Sequence, residues 1–278
     1  MESNSENRRR GIRVADPSGP TVLNRVSRRR SVGDDHVANR TPDCTGSLNR
    51  SDPHPAEAAT DWLIWQLVDS AFPTGGFAHS GGLEAAWQQG EVDSPEDLVD
   101  FIQVHLAQTG RTALPFVNEA YDGMRDFAEL DLLCDAFLSN HVANRGSRAQ
   151  GGAFLLTVAQ AFNSTVLTNF RATTLRDKLP GHFAPVFGAI LRSLQVGHGV
   201  CLRSFLFMNV RGLLASAVRL GIVGPMAAQA FQTALNRKAE VVAARCATMG
   251  VAQATQTAPL LDVLQGAHDR LYSRLFQT

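Results

Sequence analysis

From about Thr60 onward, the apolar residues of this chain recur at three- and four-residue steps, and runs alternating with period two are scarce. Trp62, Trp65, Leu67 and Val68 form one such run before Pro73 stops it. Ser94 is a natural N-cap, with Pro95 at the first helical position and Glu96 and Asp97 in the first turn. Leu98, Phe101, Ile102 and His105 then share one face, and Gly110 is placed to end that helix. Leu130, Leu133, Cys134, Phe137, Leu138 and His141 repeat the pattern. Ser147 and Gln150 carry a capping-box spacing before Ala153 to Phe162. Further helical runs are expected from Pro185 to Val196, Leu202 to Leu220, Met226 to Met249 and Leu260 to Phe276, with Gly197-His198-Gly199 and Gly224-Pro225 as breaks. The pattern predicts an all-α fold: a single helical-bundle domain over residues 60–278 with roughly eight to ten helices.

Residues 1–59 read differently. Residues 1–55 hold ten arginines, eight of them in or near Arg8-Arg9-Arg10 and Arg28-Arg29-Arg30, against seven acids. Ser, Asn, Asp and Pro fill the rest, so this extension cannot bury enough apolar surface to order itself and is expected to be disordered. A solvated extension, a transit peptide (which its acids argue against) and a basic kinase or localisation patch around Arg28 to Ser31 remain open. The formal charge of the whole chain is zero, so no overall field favours nucleic acid or an anionic membrane.

Cys44, Cys134, Cys201 and Cys246 lie far apart without a CxxC pair, which fits reduced thiols and a cytoplasmic protein. No uninterrupted apolar run reaches the roughly 18 residues needed to span a bilayer.

Between two helical runs lies AFPTGGFAHSGGLEAAW, Ala71 to Trp87, with four glycines, Phe72, Phe77, Pro73 and His79. Glycines this dense point to special backbone angles or to close approach of another surface. The turn is not a nucleotide loop: the only lysines are Lys178 and Lys238, neither following a glycine-rich stretch. Glu84 stands early in the next helix, where a capping or solvated role competes with a functional one. His79, His105, His141, His182, His198 and His268 are scattered, with no HExxH spacing, so ordinary satisfied polar groups fit them better than metal ligands. No G-x-S-x-G elbow is present.

At the end of the sequence, Leu260, Leu264, His268, Leu271 and Leu275 form one stripe, with Leu261, Tyr272 and Phe276 beside it. This predicts an amphipathic helix running to Phe276, either a last core helix or one that docks in a partner's groove.

LIWQLVDSAFPTGGFAHSGGLEAAWQQGEV (Leu63–Val92), SNHVANRGSRAQGGAFL (Ser139–Leu155), GHFAPVFGAI (Gly181–Ile190), RGLLASAVRLGIVGPMAAQ (Arg211–Gln229) and the closing HDRLYSRLFQT resemble the UreF family of urease accessory proteins. The resemblance covers about Trp62 to Thr278, and the Arg-rich extension is similar to the plant form. It implies an all-α homodimer with no catalysis and no cofactor of its own. Such proteins bind UreD (also called UreH) and then the GTPase UreG, which holds the GTP, and the assembly delivers nickel to apo-urease. By resemblance, Phe72, Pro73, Gly75, Gly76, Phe77, His79, Gly82 and Glu84 face a partner. The tail residues Leu271, Tyr272, Arg274, Leu275 and Phe276 order against UreD. Arg145, Arg148 and Arg211 lie in matching segments, and nothing in the sequence selects one of them to act on the GTPase. A metal-dependent hydrolase would need a clustered set of ligands, and a peripheral membrane protein would use the basic extension and the terminal helix.

Overall fold

The computed structural model describes residues 55–278, with side chains from residue 60 onward. The extension read as disordered lies outside these residues up to residue 54, while residues 55–59 already belong to the first helix. The described residues form eleven α-helices and no strand: α1 (Pro55–Val68), α2 (Leu83–Gln88), α3 (Pro95–Thr112), α4 (Leu114–Asp122), α5 (Phe127–Phe137), α6 (His141–Ala161), α7 (Thr165–Arg176), α8 (Phe183–Ser193), α9 (His198–Leu220), α10 (Pro225–Cys246) and α11 (Pro259–Ala267). Short 3-10 turns stand at Gly76–Ala78, Val251–Gln253 and His268–Arg270. The all-α expectation holds.

Local chemistry sets most of the boundaries. The Ser94 hydroxyl accepts from the Asp97 amide at 3.1 Å and the Asp97 carboxylate accepts from the Ser94 amide at 3.0 Å, the reciprocal box expected at the start of α3. Two expectations are corrected. Helix α6 starts at His141, capped by Asn140, whose side chain accepts from the Val142 and Ala143 amides, and not at Ser147. The Ser147 hydroxyl instead meets His182 Nδ1 at 3.1 Å and accepts from the Phe183 amide at 3.2 Å, so it ties α6 to α8. Gly110 does not end α3. It lies buried inside the helix, where a Cβ would strike the Val242 side chain, so the glycine lets α3 and α10 approach closely.

Helix α9 is the spine. Its buried face (Leu202, Phe205, Leu206, Leu213, Leu214, Ala217) takes α10 and α3 along its length, with α2, α4 and α8 against its flanks. It is the one described helix long and apolar enough, by length and composition, to cross a membrane, but Arg203 and Arg211 interrupt it and more than half of it is packed inside the bundle. Phe154, Phe183, Phe187 and Phe205 join α6, α8 and α9 in a ring cluster with centroids 5.3–5.7 Å apart. Each fully buried ring contributes about 1.5–3 kcal/mol, and favourable ring pairs about 0.5–1.5 kcal/mol more.

Several polar groups inside the bundle are matched. The fully buried Asp131 accepts from the Gly181 and His182 amides at 2.6 and 2.8 Å, fixing the entry to α8. Asn118 donates to the Cys246 and Met249 carbonyls at 2.9 and 2.8 Å, and the Gln108 oxygen accepts from the Thr257 and Ala258 amides. These bonds hold the crossing from α10 to α11, which places α11 against α2 and α6.

Candidate functional site: a glycine turn closed by the chain's last residues

Residues Asp69–Gly82 form a compact loop between α1 and α2. Gly75 and Gly82 adopt φ of 72° and 90°, a left-handed backbone that other residues take at a cost. Gly82 also lies against the α11 backbone at Gln265, where a Cβ would come within 3.3 Å of main-chain atoms. The density of glycine in the sequence thus reflects both causes: backbone angle and close approach.

The expected terminal helix is not continuous. It stops at Ala267, passes through one 3-10 turn, and from Leu271 the chain runs back over the glycine turn without helical bonding. The reason is a better set of partners. The Glu84 carboxylate accepts from the Leu275 amide at 2.6 Å and the Phe276 amide at 3.2 Å. The Gln277 amide donates to the Ala78 carbonyl at 2.8 Å, and the Ser80 amide donates to the Thr278 carbonyl at 2.7 Å. Gln88 Nε2 donates to the Ser273 carbonyl at 2.9 Å, and the His79 ring meets the Thr278 hydroxyl. The Phe276 ring is buried under the Arg219 guanidinium, 4.2 Å above its centre.

Glu84 is therefore neither a helix cap nor solvated. It is 2% exposed and anchors the tail through charge-assisted bonds. Beside it sits His268, fully buried, with Nδ1 3.7 Å from Glu84 Oε2 and no hydrogen-bond partner at either ring nitrogen. The reading of the histidines as satisfied polar groups holds for His182, with Ser147 and Asp135, and for His198, with Asn118, but not for His268. Burial, then Arg145 and His268, push the His79 pKa below its usual value. On the outer side Asp269 accepts from Arg145 at 2.8 Å and from Arg274 at 3.4 Å, with His141 at 3.1 Å, and the Arg145 bond foremost keeps its carboxyl below the usual range. Among the described residues no group of three or more His, Cys, Asp or Glu side chains is arranged to hold a metal ion.

The structure thus joins the two segments singled out in the sequence into one surface. Phe72, Gly82, Glu84 and Phe276 are buried and build it. Pro73, Phe77, Tyr272, Arg274 and Leu275 stand exposed on it, with Gly75, Gly76, His79 and Leu271 in between. Sequence reasoning missed Ser80, Arg219, His268 and Asp269. Ser80 acts mainly through its backbone amide, and the others meet Phe77, Phe276, Glu84 and Arg145 far along the chain; the stripe pattern includes His268 but gives no sign of Glu84 beside it.

Comparison with known proteins places the chain in a family. The UreF family profile matches residues 92–236. The chain belongs to the UreF family of urease accessory proteins. It is 41% identical over 222 residues to the urease accessory protein F of Oryza sativa subsp. indica, an alignment covering 78% of this chain and 85% of that protein. Against urease accessory protein F of Arabidopsis thaliana the identity is 40% over 225 residues, 80% of this chain and 94% of the relative. The UreF of Trichodesmium erythraeum is 30% identical over 223 residues, 77% and 94% of the two chains. As a UreF protein, the chain takes its place among the accessory factors of urease maturation.

Proposed function

We propose that this UreF chain is a non-catalytic adaptor, working as a cytoplasmic homodimer, that binds UreD and then recruits UreG for GTP-dependent nickel delivery to apo-urease. Nickel is its assembly's cargo, and GTP belongs to UreG. The observation that carries the reading is the tail laid across the glycine turn. Its backbone is pinned at Ala78, Ser80 and Glu84, while the Tyr272 and Leu275 side chains stand exposed, as does Phe77 on the glycine turn. Exposed aromatic and aliphatic anchors on an ordered backbone are what a partner surface needs, because little freedom is left to lose on docking. The absence of a lysine-bearing phosphate loop supports leaving nucleotide chemistry to a partner.

The test is size-exclusion chromatography with light scattering on the full chain, alone, with UreD, and with UreD plus UreG and GTP. The expected result is a dimer that takes up UreD and only then UreG. Removing residues 271–278 abolishes UreD uptake while the helical circular dichroism stays. The double variant Tyr272→Ala/Leu275→Ala, which keeps every backbone pin, weakens UreD binding by tenfold or more, since two anchors at roughly 1–2 kcal/mol each exceed 1.4 kcal/mol per decade. Undiminished UreD binding by both variants overturns the reading.

A further inference from the structure

Beneath the glycine turn lies a cleft of about 430 Å³, within the roughly 300–1,000 Å³ range of small-molecule sites. Its mouth is exposed at Pro73, Phe77 and Arg219, and its floor is buried at Phe205 and Thr109. Along α9, Asn209, Gly212, Ser216 and Arg219 follow one another at three- and four-residue steps, so one helix face forms a wall.

The charge of this lining is one-sided. Arg211 and Arg219 both line the cleft, and no aspartate or glutamate side chain does so among the described residues. Each arginine spends one N–H on a backbone carbonyl, Arg211 on Val68 and Arg219 on Phe77, and neither has a carboxylate within hydrogen-bond reach. At the inner end the Asn209 Oδ1 is buried and faces the His105 ring without completing a hydrogen bond. A buried acceptor met only at such poor geometry is costly, and a ligand's donor would relieve it. His105 is itself held neutral by burial, its pKa lowered to about 4, so positive charge stays at the mouth.

We propose that the cleft binds a small amphipathic carboxylate: an anionic head at Arg219, an apolar body against Phe205 and Leu213, and an O–H or N–H donor to Asn209 Oδ1. The cleft shares its rim, Pro73 and Phe77, with the surface proposed for docking, but ligand titration into the chain alone tests it without any partner.

Three probes divide the chemistry. Para-hydroxyphenylpropionate carries all three features, phenylpropionate lacks the donor and ethylphenol lacks the carboxylate. Calorimetric titration into the full chain is expected to give one site for the first probe and affinity weaker by roughly tenfold for each of the others. Arg219→Gln lowers affinity for hydroxyphenylpropionate by roughly tenfold and leaves ethylphenol unaffected. Gly212→Leu, at a position where an added Cβ meets nothing within 4 Å, fills the cleft and removes binding while the helical signal is kept. No saturable binding of the first probe, or binding unchanged in Arg219→Gln, overturns the proposal. Equal affinity for hydroxyphenylpropionate and phenylpropionate removes the role of Asn209.

Discussion

Glu84 shows how much one side chain can decide. A buried carboxylate is costly unless its lone pairs are met, and here two amides of a segment about 190 residues away meet them. Glu84→Ala leaves both amides without that partner and is expected to cost about 2 kcal/mol. For a domain of this size that lowers the Tm by about 4–8 °C. Hydrogen exchange localises the effect: Leu275 and Phe276 amides exchange faster while those of α9 do not. His105 supplies a pH dependence. Its folded pKa of about 4 lies below the usual value of 6.5, so the unfolded chain binds the proton first and stability falls with acid. The loss begins as pH drops below about 6.5 and is complete below about 4, on the order of 3 kcal/mol. Urea midpoints of the wild type and His105→Leu between pH 7 and 4 check it: the wild type's extra acid sensitivity disappears in the variant.

At the scale of the helix, two adjacent glycines carry opposite predictions. A Cβ on Gly151 would run into the Gly181 carbonyl and the backbone of His182, so Gly151→Ala pushes α6 away from the entry to α8. Chemical denaturation should show a loss of about 2 kcal/mol or more. Gly152 meets nothing within 4 Å and is exposed, and Gly152→Ala stabilises α6 by about 0.5–1 kcal/mol. The sequence shows two identical residues side by side, and only the neighbour supplied by packing separates them. The same holds for the helices generally. The run of α9 and the capped start of α3 were legible because their signals are local. The start of α6 was misread because Ser147 has a capping spacing but its hydroxyl serves a neighbouring helix. The terminal helix was misread for a like reason: the leucine stripe from Leu260 to Leu275 is helical in spacing, but Glu84 and the Ala78 and Ser80 backbone offer its last amides and carbonyls other partners. The candidate site was legible as two separate segments, the glycine turn and the tail, whereas their union was not.

For the molecule as a whole, the three described thiols report global opening. Cys134, Cys201 and Cys246 are buried, and burial pushes each thiol pKa above its usual value. In a Cys44→Ser background the native protein is expected to leave all three thiols nearly unreactive toward an aromatic disulfide reagent at pH 8, and to expose them together in denaturant. Fast labelling of any one in native buffer would reveal a local opening that the packing does not allow. The return of the tail has a different consequence, in time. The bundle can begin to assemble as its helices emerge from the ribosome, but Ser80 and Glu84 wait for residues 275–278. At roughly 5–20 residues per second, that interval is about 10–40 seconds. During it, a buried acid and an unfinished loop stand open on a nascent chain, until residues 275–278 emerge and close them.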